Sequence, residues 1–353
     1  MTTIELLRRL PKVQLHCHLE GSLRAETFIE LAALYGVSTV YEPGAPGAFA
    51  PALQAAAHEV YQFNDFNEFL LIFAAVCRSL RTPADYVRLL REYTEDARTH
   101  NVMYAELFVS PSVWRFFNPD LDLEETLYLL WCAAGDEATK GGPRIRFIVD
   151  LTRNFGAESA MEMARFAASF RGYGCVGIGL GGDEARFPPE LFTDAFAYAR
   201  EKGLHAVVHA GEAAGAKSIR NAIELLHAER IGHGIRAVED PAVLELLIEK
   251  NIPLEVCPTS NFRTGVVLPD AVHPLKDLER AGVSIVLDSD DPAIFRTDVT
   301  AEYAFAEQLV GMDAVVRYAR NAIGASFADA RTKASMAERF DRESAELLAL
   351  RRT

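Results

Sequence analysis

The sequence predicts an α/β protein, a (β/α)8 TIM barrel with a helical insertion after the first strand. Apolar, β-branched segments alternate with helix-like stretches, which implies parallel strands joined by crossover helices. Eight such segments occur, the number that closes this kind of barrel. A length of 353 residues, of which 50% are hydrophobic, suits one barrel with insertions. We therefore predict a single domain over residues 1–353.

The predicted strands are short, and turn or helix signals separate them. They span residues 13–19, 102–109, 144–151, 175–180, 205–210, 230–234, 252–257 and 283–287. The segment between the fourth and fifth strands shows how the helices are recognised: Pro188 and Pro189 favour a helix start, and Gly203 favours its end. Residues 213–229 and 241–250 follow the same plan.

The insertion is predicted from the length of the first crossover. Residues 20–101 separate the first two strands, far more than one crossover helix needs. Within them, residues 61–73 are rich in phenylalanine. Such a segment either packs into the core or forms a hydrophobic lid, because insertions after a strand lie over the barrel mouth. Both interpretations stay open, and one helix can serve both.

The net charge of −14, from 36 basic and 50 acidic residues, makes the chain a poor partner for nucleic acid. A small neutral or cationic ligand suits it better. The five cysteines lack a C-x-x-C pair and are odd in number, which favours reduced thiols over a disulfide framework. Neither a signal-peptide pattern nor an apolar run of the ~18 residues of a membrane span is present. We expect a cytoplasmic protein that does not bind membranes.

His16 and His18 are the strongest pointer to chemistry. They lie near the end of the first predicted strand, where residues two apart point to the same face. Gly21 and Ser22 then end the strand, so both imidazoles lie at its carboxyl end, where barrel enzymes carry their active sites. Two neighbouring histidines also occur by accident on protein surfaces, but apolar residues flank this pair.

Other titratable residues follow the fifth, sixth and eighth strands. His209 lies at the end of the fifth strand and Glu212 just after it, His233 lies at the end of the sixth, and the eighth leads into Asp290 and Asp291. Each has a structural interpretation alone: a hydrogen-bonded core histidine, a turn residue between glycines, or a helix cap before proline. These interpretations weaken together, because all the residues fall at one end of the same barrel.

Three imidazoles and one carboxylate suit a single zinc ion, whereas magnesium prefers more oxygen ligands. Zinc lowers the pKa of its bound water towards ~7 and so supplies a hydrolytic nucleophile. Glu212, three residues beyond His209, is placed to carry a proton to or from the substrate. His233 is placed to take the proton of the water or to stabilise the hydroxide, and Asp291 to direct a carboxylate at the substrate.

Residues 177–182 match the G-x-G-x-x-G pattern, but residues 183–189 separate it from the next helix start. A dinucleotide-binding loop runs straight into its helix, so this function is excluded. We expect these glycines to allow close backbone approach to a ligand at the end of the fourth strand. The zinc motif H-E-x-x-H and the cytidine deaminase pattern are absent from the sequence.

Motifs along nearly the whole chain resemble the metal-dependent adenosine deaminase family. They are LPKVQLHCHLEGSL at 10–23, GGDE at 181–184, VHAGE at 208–212, ERIGHG at 229–234, LEVCPTSN at 254–261 and SDDP at 289–292. The resemblance implies one zinc ion per chain and hydrolytic attack at C6 of a purine nucleoside. The metal ligands that it implies are His16, His18, His209 and Asp290.

The resemblance also implies roles around the purine. Glu212 would protonate N1, His233 would serve the hydroxide, Asp291 would bind N7, and the Gly182 backbone would meet N3. Family members that act on adenosine commonly carry aspartate, which reaches the ribose 5′-hydroxyl, where this chain has Glu20. Glutamate there resembles the adenine deaminase branch and relatives that act on modified nucleosides.

The leading expectation is deamination of adenosine or 2′-deoxyadenosine to the inosine product and ammonia, because residues 181–184 resemble the adenosine branch. Adenine and 6-aminodeoxyfutalosine are the alternative substrates. A different, two-metal amidohydrolase and an inactive binding relative are more remote alternatives. The glycines that end the fourth strand argue against a second metal, and the complete set of ligands and acid argues against an inactive protein. The sequence leaves the oligomeric state open.

Overall fold

The computed structural model describes residues 1–41, 49–51, 57 and 59–352. Its strands are β1 (Lys12–His18), β2 (Ser38–Tyr41), β3 (Phe49–Pro51), β4 (Val102–Val109), β5 (Arg144–Asp150), β6 (Cys175–Gly179), β7 (His205–Ala210), β8 (Arg230–His233), β9 (Leu254–Val256) and β10 (Ile285–Leu287). Eight of them form one parallel sheet in the order β1-β4-β5-β6-β7-β8-β9-β10. The predicted (β/α)8 barrel is confirmed.

The seam between β1 and the residues after β10 brings the first and last strands of the barrel together. The backbone N of His18 donates to the Asp290 carbonyl at 2.9 Å, and the Asp290 N donates to the His16 carbonyl at 3.0 Å. The predicted strand 283–287 begins two residues later than expected, because the Val283 N bonds to the Leu278 carbonyl near the preceding helix. The seam therefore places Asp290 beside the two histidines of β1.

Many of the helices begin at a proline or after a capping side chain. They are α1 (Thr3–Arg9), α2 (Ala25–Tyr35), α3 (Phe66–Ser79), α4 (Pro83–Thr99), α5 (Pro111–Phe117), α6 (Leu123–Thr139), α7 (Gly156–Ser169), α8 (Thr193–Glu201), α9 (Ala216–Leu225), α10 (Pro241–Glu249), α11 (Pro258–Arg263), α12 (Leu275–Ala281), α13 (Pro292–Phe295), α14 (Val299–Val310), α15 (Met312–Ala325) and α16 (Ala330–Arg352). Pro111, Pro258 and Pro292 start short helices just after β4, β9 and β10, because proline suits the first helical position. In the described part of the chain, no helix has both the length and the apolarity to span a membrane.

The segment between β1 and β4 contains α2, the antiparallel pair β2–β3, α3 and α4. The Asp65 side chain caps α3 by accepting from the Glu68 N at 3.0 Å. Phe69 packs against Phe295 with ring centroids 4.9 Å apart, and it also lines the cavity at the barrel mouth. Phe66 and Phe73 of the same helix line that cavity too. Helix α3 therefore packs into the core and also covers the mouth of the barrel.

Candidate active site

The side chains that the resemblance names as metal ligands meet at the carboxyl end of the barrel. The Nε2 atoms of His18 and His209 are 3.2 Å apart. Asp290 Oδ1 lies 3.4 Å from the Nε2 atom of His16 and 3.4 Å from that of His18. His233 joins them, since one ligand atom from each of His16, His209, His233 and Asp290 lies within 4.8 Å of the others. The predicted convergence of remote strands is present.

This cluster fits a divalent metal ion. His16 Nε2 is buried and has no hydrogen-bond partner among the described residues, a costly state that a cation at this place would relieve. Burial lowers the pKa of His18 to about 4 and of His233 to about 3, and it lowers that of His209 well below its ordinary value. His18, His209 and His233 are therefore neutral near pH 7, the form that binds metals, whereas at His16 the effect of burial is outweighed by Asp290 and Glu255, which raise its pKa well above the ordinary value.

Two of the clustered residues have left-handed backbone. His233 and Asp290 both have φ of 60°, a region that residues other than glycine rarely adopt. Such strain costs about 1–3 kcal/mol and concentrates at functional sites, where the surrounding structure enforces it. At Asp290 the two seam hydrogen bonds described above provide that enforcement. These conformations turn the side chains off the direction of an extended strand and towards the barrel axis.

A buried series of ion pairs holds the His16 ring through its Nδ1 atom. Glu255 Oε2 lies 2.8 Å from His16 Nδ1, and Glu255 Oε1 accepts from Arg230 Nε at 2.5 Å. Arg230 also donates to Glu106 Oε2 at 2.6 Å, and all four side chains are almost fully buried. Burial alone would raise the pKa of Glu255, but Arg230 and His16 hold it below its ordinary value. The carboxylate therefore accepts from Nδ1 and leaves Nε2 free to face the site.

Glu212 lies beside the metal-capable cluster in surroundings that favour its protonated form. Burial raises its pKa well above the ordinary value, and the Asp290 and Glu184 carboxylates raise it further. Its Oε2 lies 3.5 Å from His233 Nε2. The Glu184 carboxylate fixes the loop that carries it by accepting from the backbone N atoms of Gly211 at 2.6 Å and Glu212 at 3.2 Å. A proton donor is therefore held next to the cluster.

A cavity of about 240 Å³ opens onto the cluster. Its inner end carries His18, His209, Glu212, His233, Asp290 and Asp291. Its other wall is aromatic and apolar, and it includes Phe66, Phe69, Phe73, Val113, Phe117 and Phe155. The arrangement can hold a flat, partly apolar ligand with one end against the metal-capable cluster.

Two of the three predicted substrate-binding residues line this cavity. Asp291 Oδ1 has no hydrogen-bond partner among the described residues, and burial together with Asp290 raises the pKa of Asp291 well above its ordinary value. Gly21 makes room for it, because a Cβ at that position would lie 1.9 Å from Asp291 Oδ1. Gly182 lines the cavity with φ of 98°, and a Cβ there would lie 2.4 Å from Asn154 Oδ1. Neither glycine can be replaced without displacing a neighbouring side chain.

Glu20, the third, lies behind the cavity wall. Its Oε1 accepts hydrogen bonds from the Ser110 N at 2.8 Å and from Trp114 Nε1 at 2.5 Å. The side chain is fully buried, and burial raises its pKa. Its predicted contact with a substrate stays a prediction: these two donors occupy Oε1, and Oε2 is buried without a partner among the described residues.

The residues that position the site were not predicted from the sequence. Arg230, Glu255 and Glu184 all lie in the motifs that carried the family resemblance, but their roles were not assigned. The available signal was charge: Arg230 and Glu255 are ionisable residues inside strands that are otherwise apolar. Buried charges require partners, so two opposite charges on neighbouring strands indicate an ion pair.

The comparisons with known proteins agree with this geometry. The family model described as Adenosine deaminase matches residues 11–343. An aminodeoxyfutalosine deaminase of Streptomyces coelicolor is 38% identical over 346 residues, which cover 96% of this chain and 86% of that protein. The crystal structure of an adenine deaminase from Arthrobacter aurescens aligns with a TM-score of 0.85 at 30% identity, covering 96% of this chain and 99% of that chain. An amidohydrolase from Burkhoderia ambifaria with bound Zn aligns with a TM-score of 0.85 at 28% identity, covering 99% and 96%.

Fold, site and comparisons together define a barrel hydrolase of the amidohydrolase type. The chain belongs to the adenosine deaminase family. It is a hydrolytic deaminase.

Proposed function

We propose that the protein deaminates the 6-amino group of a purine nucleoside of the aminodeoxyfutalosine type, in which a large aromatic group replaces the 5′-hydroxyl. The observation that carries the proposal is the cavity, which joins a metal-capable polar end to an aromatic wall. The expectation of adenosine has no support among the relatives described above. The alternative of adenine or aminodeoxyfutalosine is better supported.

Zinc is the metal we propose, one ion per chain. Nitrogen and oxygen atoms that bind one zinc ion at about 2.0–2.2 Å lie about 3–4 Å from one another. The spacings of 3.2, 3.4 and 3.4 Å among His16, His18, His209 and Asp290 match that figure. The zinc-bound amidohydrolase with the same fold supports the assignment. When bound, the metal supplies Lewis-acid activation of water.

The remaining chemistry belongs to side chains of this protein. Glu212, held protonated, donates to N1 of the purine and makes C6 more electrophilic. Asn261 Nδ2 lies 3.3 Å from His233 Nδ1 and donates to it, so the neutral ring carries its proton on Nε2, which faces the reacting centre as a hydrogen-bond donor. Asp291, whose raised pKa favours the protonated form, donates to N7, and the Gly182 N donates to N3. The aromatic walls exclude bulk water from the ring.

Glu20 supports a substrate that lacks a 5′-hydroxyl. An aspartate at this position in adenosine-specific relatives reaches that hydroxyl, whereas the Glu20 Oε1 atom is committed to Ser110 and Trp114. Only Oε2, which is buried without a partner among the described residues, is left for a 5′-hydroxyl, whereas an apolar 5′ group would meet the phenylalanine side chains of the cavity.

Free adenine is the second candidate, because it also lacks a 5′-hydroxyl and because an adenine deaminase shares the fold. The aromatic wall separates the two candidates: an apolar 5′ group would fill it, whereas adenine would leave it uncovered. The test is kcat/KM for aminodeoxyfutalosine, adenine and adenosine, followed by ultraviolet absorbance. We expect the highest value for aminodeoxyfutalosine, and a higher value for adenine would overturn the proposal.

A pair of neighbouring phenylalanines refines this test. Phe117 lines the cavity, whereas Phe116 beside it is 63% exposed and does not. Phe117→Ala should lower kcat/KM for aminodeoxyfutalosine by about tenfold or more, through lost apolar contact, and should leave adenine nearly unchanged. Phe116→Ala is the matched control and should change neither. Equal losses on both substrates in Phe117→Ala would contradict a role in binding the 5′ group.

A further inference from the structure

Asp150 ends β5 on the cavity wall, and no step described above uses it. Its side chain is buried, and it lines the cavity together with Gly181 and Gly182. The end of β6 is shaped around it: a Cβ at Gly179 would lie 2.8 Å from Asp150 Oδ1, and one at Gly181 would lie 2.7 Å from Oδ2. The glycine-rich motif that is not a dinucleotide loop therefore makes room for this carboxyl group.

The carboxyl group of Asp150 has an unused hydrogen-bonding atom. Oδ1 is buried and has no partner among the residues that the structure describes. Burial raises the pKa of Asp150 to about 7, the nearby Glu20 carboxylate adds to the rise, and Arg153 opposes it. A buried polar atom without a partner costs free energy, so its retention on a cavity wall points to a ligand. A hydroxyl group suits it in either protonation state, because a hydroxyl both donates and accepts.

The position of Asp150 selects one edge of the substrate. In the proposed function, the Gly182 N meets N3 of the purine and Asp291 meets N7. The Asp150 carboxyl lies against Gly181, the neighbour of Gly182, and so faces the N3 side of the ring. N3 adjoins the N9 position that carries the sugar in a nucleoside. The 2′-hydroxyl is the donor and acceptor group of a ribonucleoside on that side.

We propose that Asp150 is a specificity-determining residue that hydrogen-bonds the 2′-hydroxyl of the substrate ribose. This inference rests on the proposed function, because it takes the purine orientation from it. Residues at the junction of β5 and β6 would then discriminate between ribonucleosides and 2′-deoxyribonucleosides. Gly179 and Gly181 take part by leaving the carboxyl group its space.

The test compares adenosine, 2′-deoxyadenosine and adenine on the zinc-loaded enzyme. The wild type should favour adenosine over 2′-deoxyadenosine in kcat/KM by about tenfold or more, the value of one hydrogen bond to a buried carboxyl group. Asp150→Ala should bring the two nucleosides within about threefold of each other and leave adenine unchanged. Asp120→Asn, a change at an exposed turn, is the control and should keep the wild-type ratio.

Gly181→Ala is a second variant that leaves Asp150 in place. Its methyl group would collide with Oδ2 and displace the carboxyl group, so the ratio between the nucleosides should fall. In the Asp150→Ala background the same change should have no further effect on the ratio, since the colliding group is gone.

Two results would overturn the assignment of Asp150: a preference for adenosine that survives Asp150→Ala, or an equal loss on adenosine, 2′-deoxyadenosine and adenine. Failure of the proposed function is a separate observation, namely that the wild type turns over adenine faster than aminodeoxyfutalosine. In that case the ratio of the two nucleosides still reports on Asp150, because it does not depend on which substrate is fastest.

Discussion

Glu255→Gln tests whether the buried ion pairs set the state of His16. The substitution keeps the size of the side chain and removes one negative charge between Arg230 and His16. If the amide oxygen stays on Arg230, the amide NH2 faces Nδ1, which must then accept, and the proton moves to Nε2. If the amide is reversed, its NH2 group meets the guanidinium donor of Arg230. The first orientation forces the other tautomer on His16, and the second loses the hydrogen bond from Arg230.

The size of the effect follows from the geometry. Opposite charges 2.5 Å apart attract by about 6–7 kcal/mol at an effective dielectric constant of about 20. Arg230 keeps Glu106 at 2.6 Å, so part of this attraction survives. We expect a loss of about 3–5 kcal/mol in the free energy of unfolding, as for other buried pairs that lose one partner. A protonated Nε2 on His16 should weaken zinc binding by about 10- to 100-fold.

The assays are denaturant unfolding of the metal-free protein and competition for zinc with a chromophoric chelator. Glu106→Gln is the matched control, because Glu106 contacts Arg230 but not His16. It should destabilise the fold to a similar extent and leave the zinc affinity unchanged. Equal zinc affinities in the two variants would refute the reasoning, since the effect of Glu255 would then be stability alone.

Three further predictions follow from the same structure. Glu212→Gln should keep zinc and lower kcat by about 10²-fold or more, because it removes the proton donor; metal analysis and steady-state rates check this, and near-normal turnover would contradict the role. Chelation should abolish turnover and lower the melting temperature, and added zinc should restore both; turnover that persists without metal would contradict the site. Burial raises the pKa of Glu302 to about 7 from an ordinary 4.5, so its contribution to stability is lost as pH rises between these values. The free energy of unfolding of Glu302→Gln, relative to that of the wild type, should therefore rise by up to about 1.4 kcal/mol per pH unit over that window. A difference that stays constant with pH would contradict the assignment.

The barrel and the ligand cluster were predictable because both follow from local patterns plus one topological rule. A parallel barrel buries its strands, so they appear as apolar runs of a few residues, and all their carboxyl ends lie at one rim. His16, His209 and Asp290 could therefore be brought together without a structure. The observed strand ends differ from the predicted ones where a backbone N–H bonds to a nearby helix instead of a strand, as at Val283.

The supporting contacts were not predictable because they depend on register across the barrel and on side-chain direction. The ion pairs of Glu255 require knowledge of which residues of β4, β8 and β9 face each other. The left-handed backbone at His233 and Asp290 has only a weak signal in residue type, because histidine and aspartate are enriched in that region but adopt it in few places. Glu20 was expected to contact the substrate from its position in the motif, but the nearby Trp114 Nε1 binds one oxygen of its carboxylate.

The seam at Asp290 gives this residue two duties at once. Its backbone bonds tie the last strand to the first, and its side chain belongs to the ligand cluster. Separation of β1 from β10 by a local fluctuation would therefore dismantle the reaction centre before the rest of the barrel loosens. Amide hydrogen exchange at His18 and Asp290 should then report on the fraction of molecules that are competent to react. A bound metal would hold the first and last strands of the barrel together and so slow this exchange.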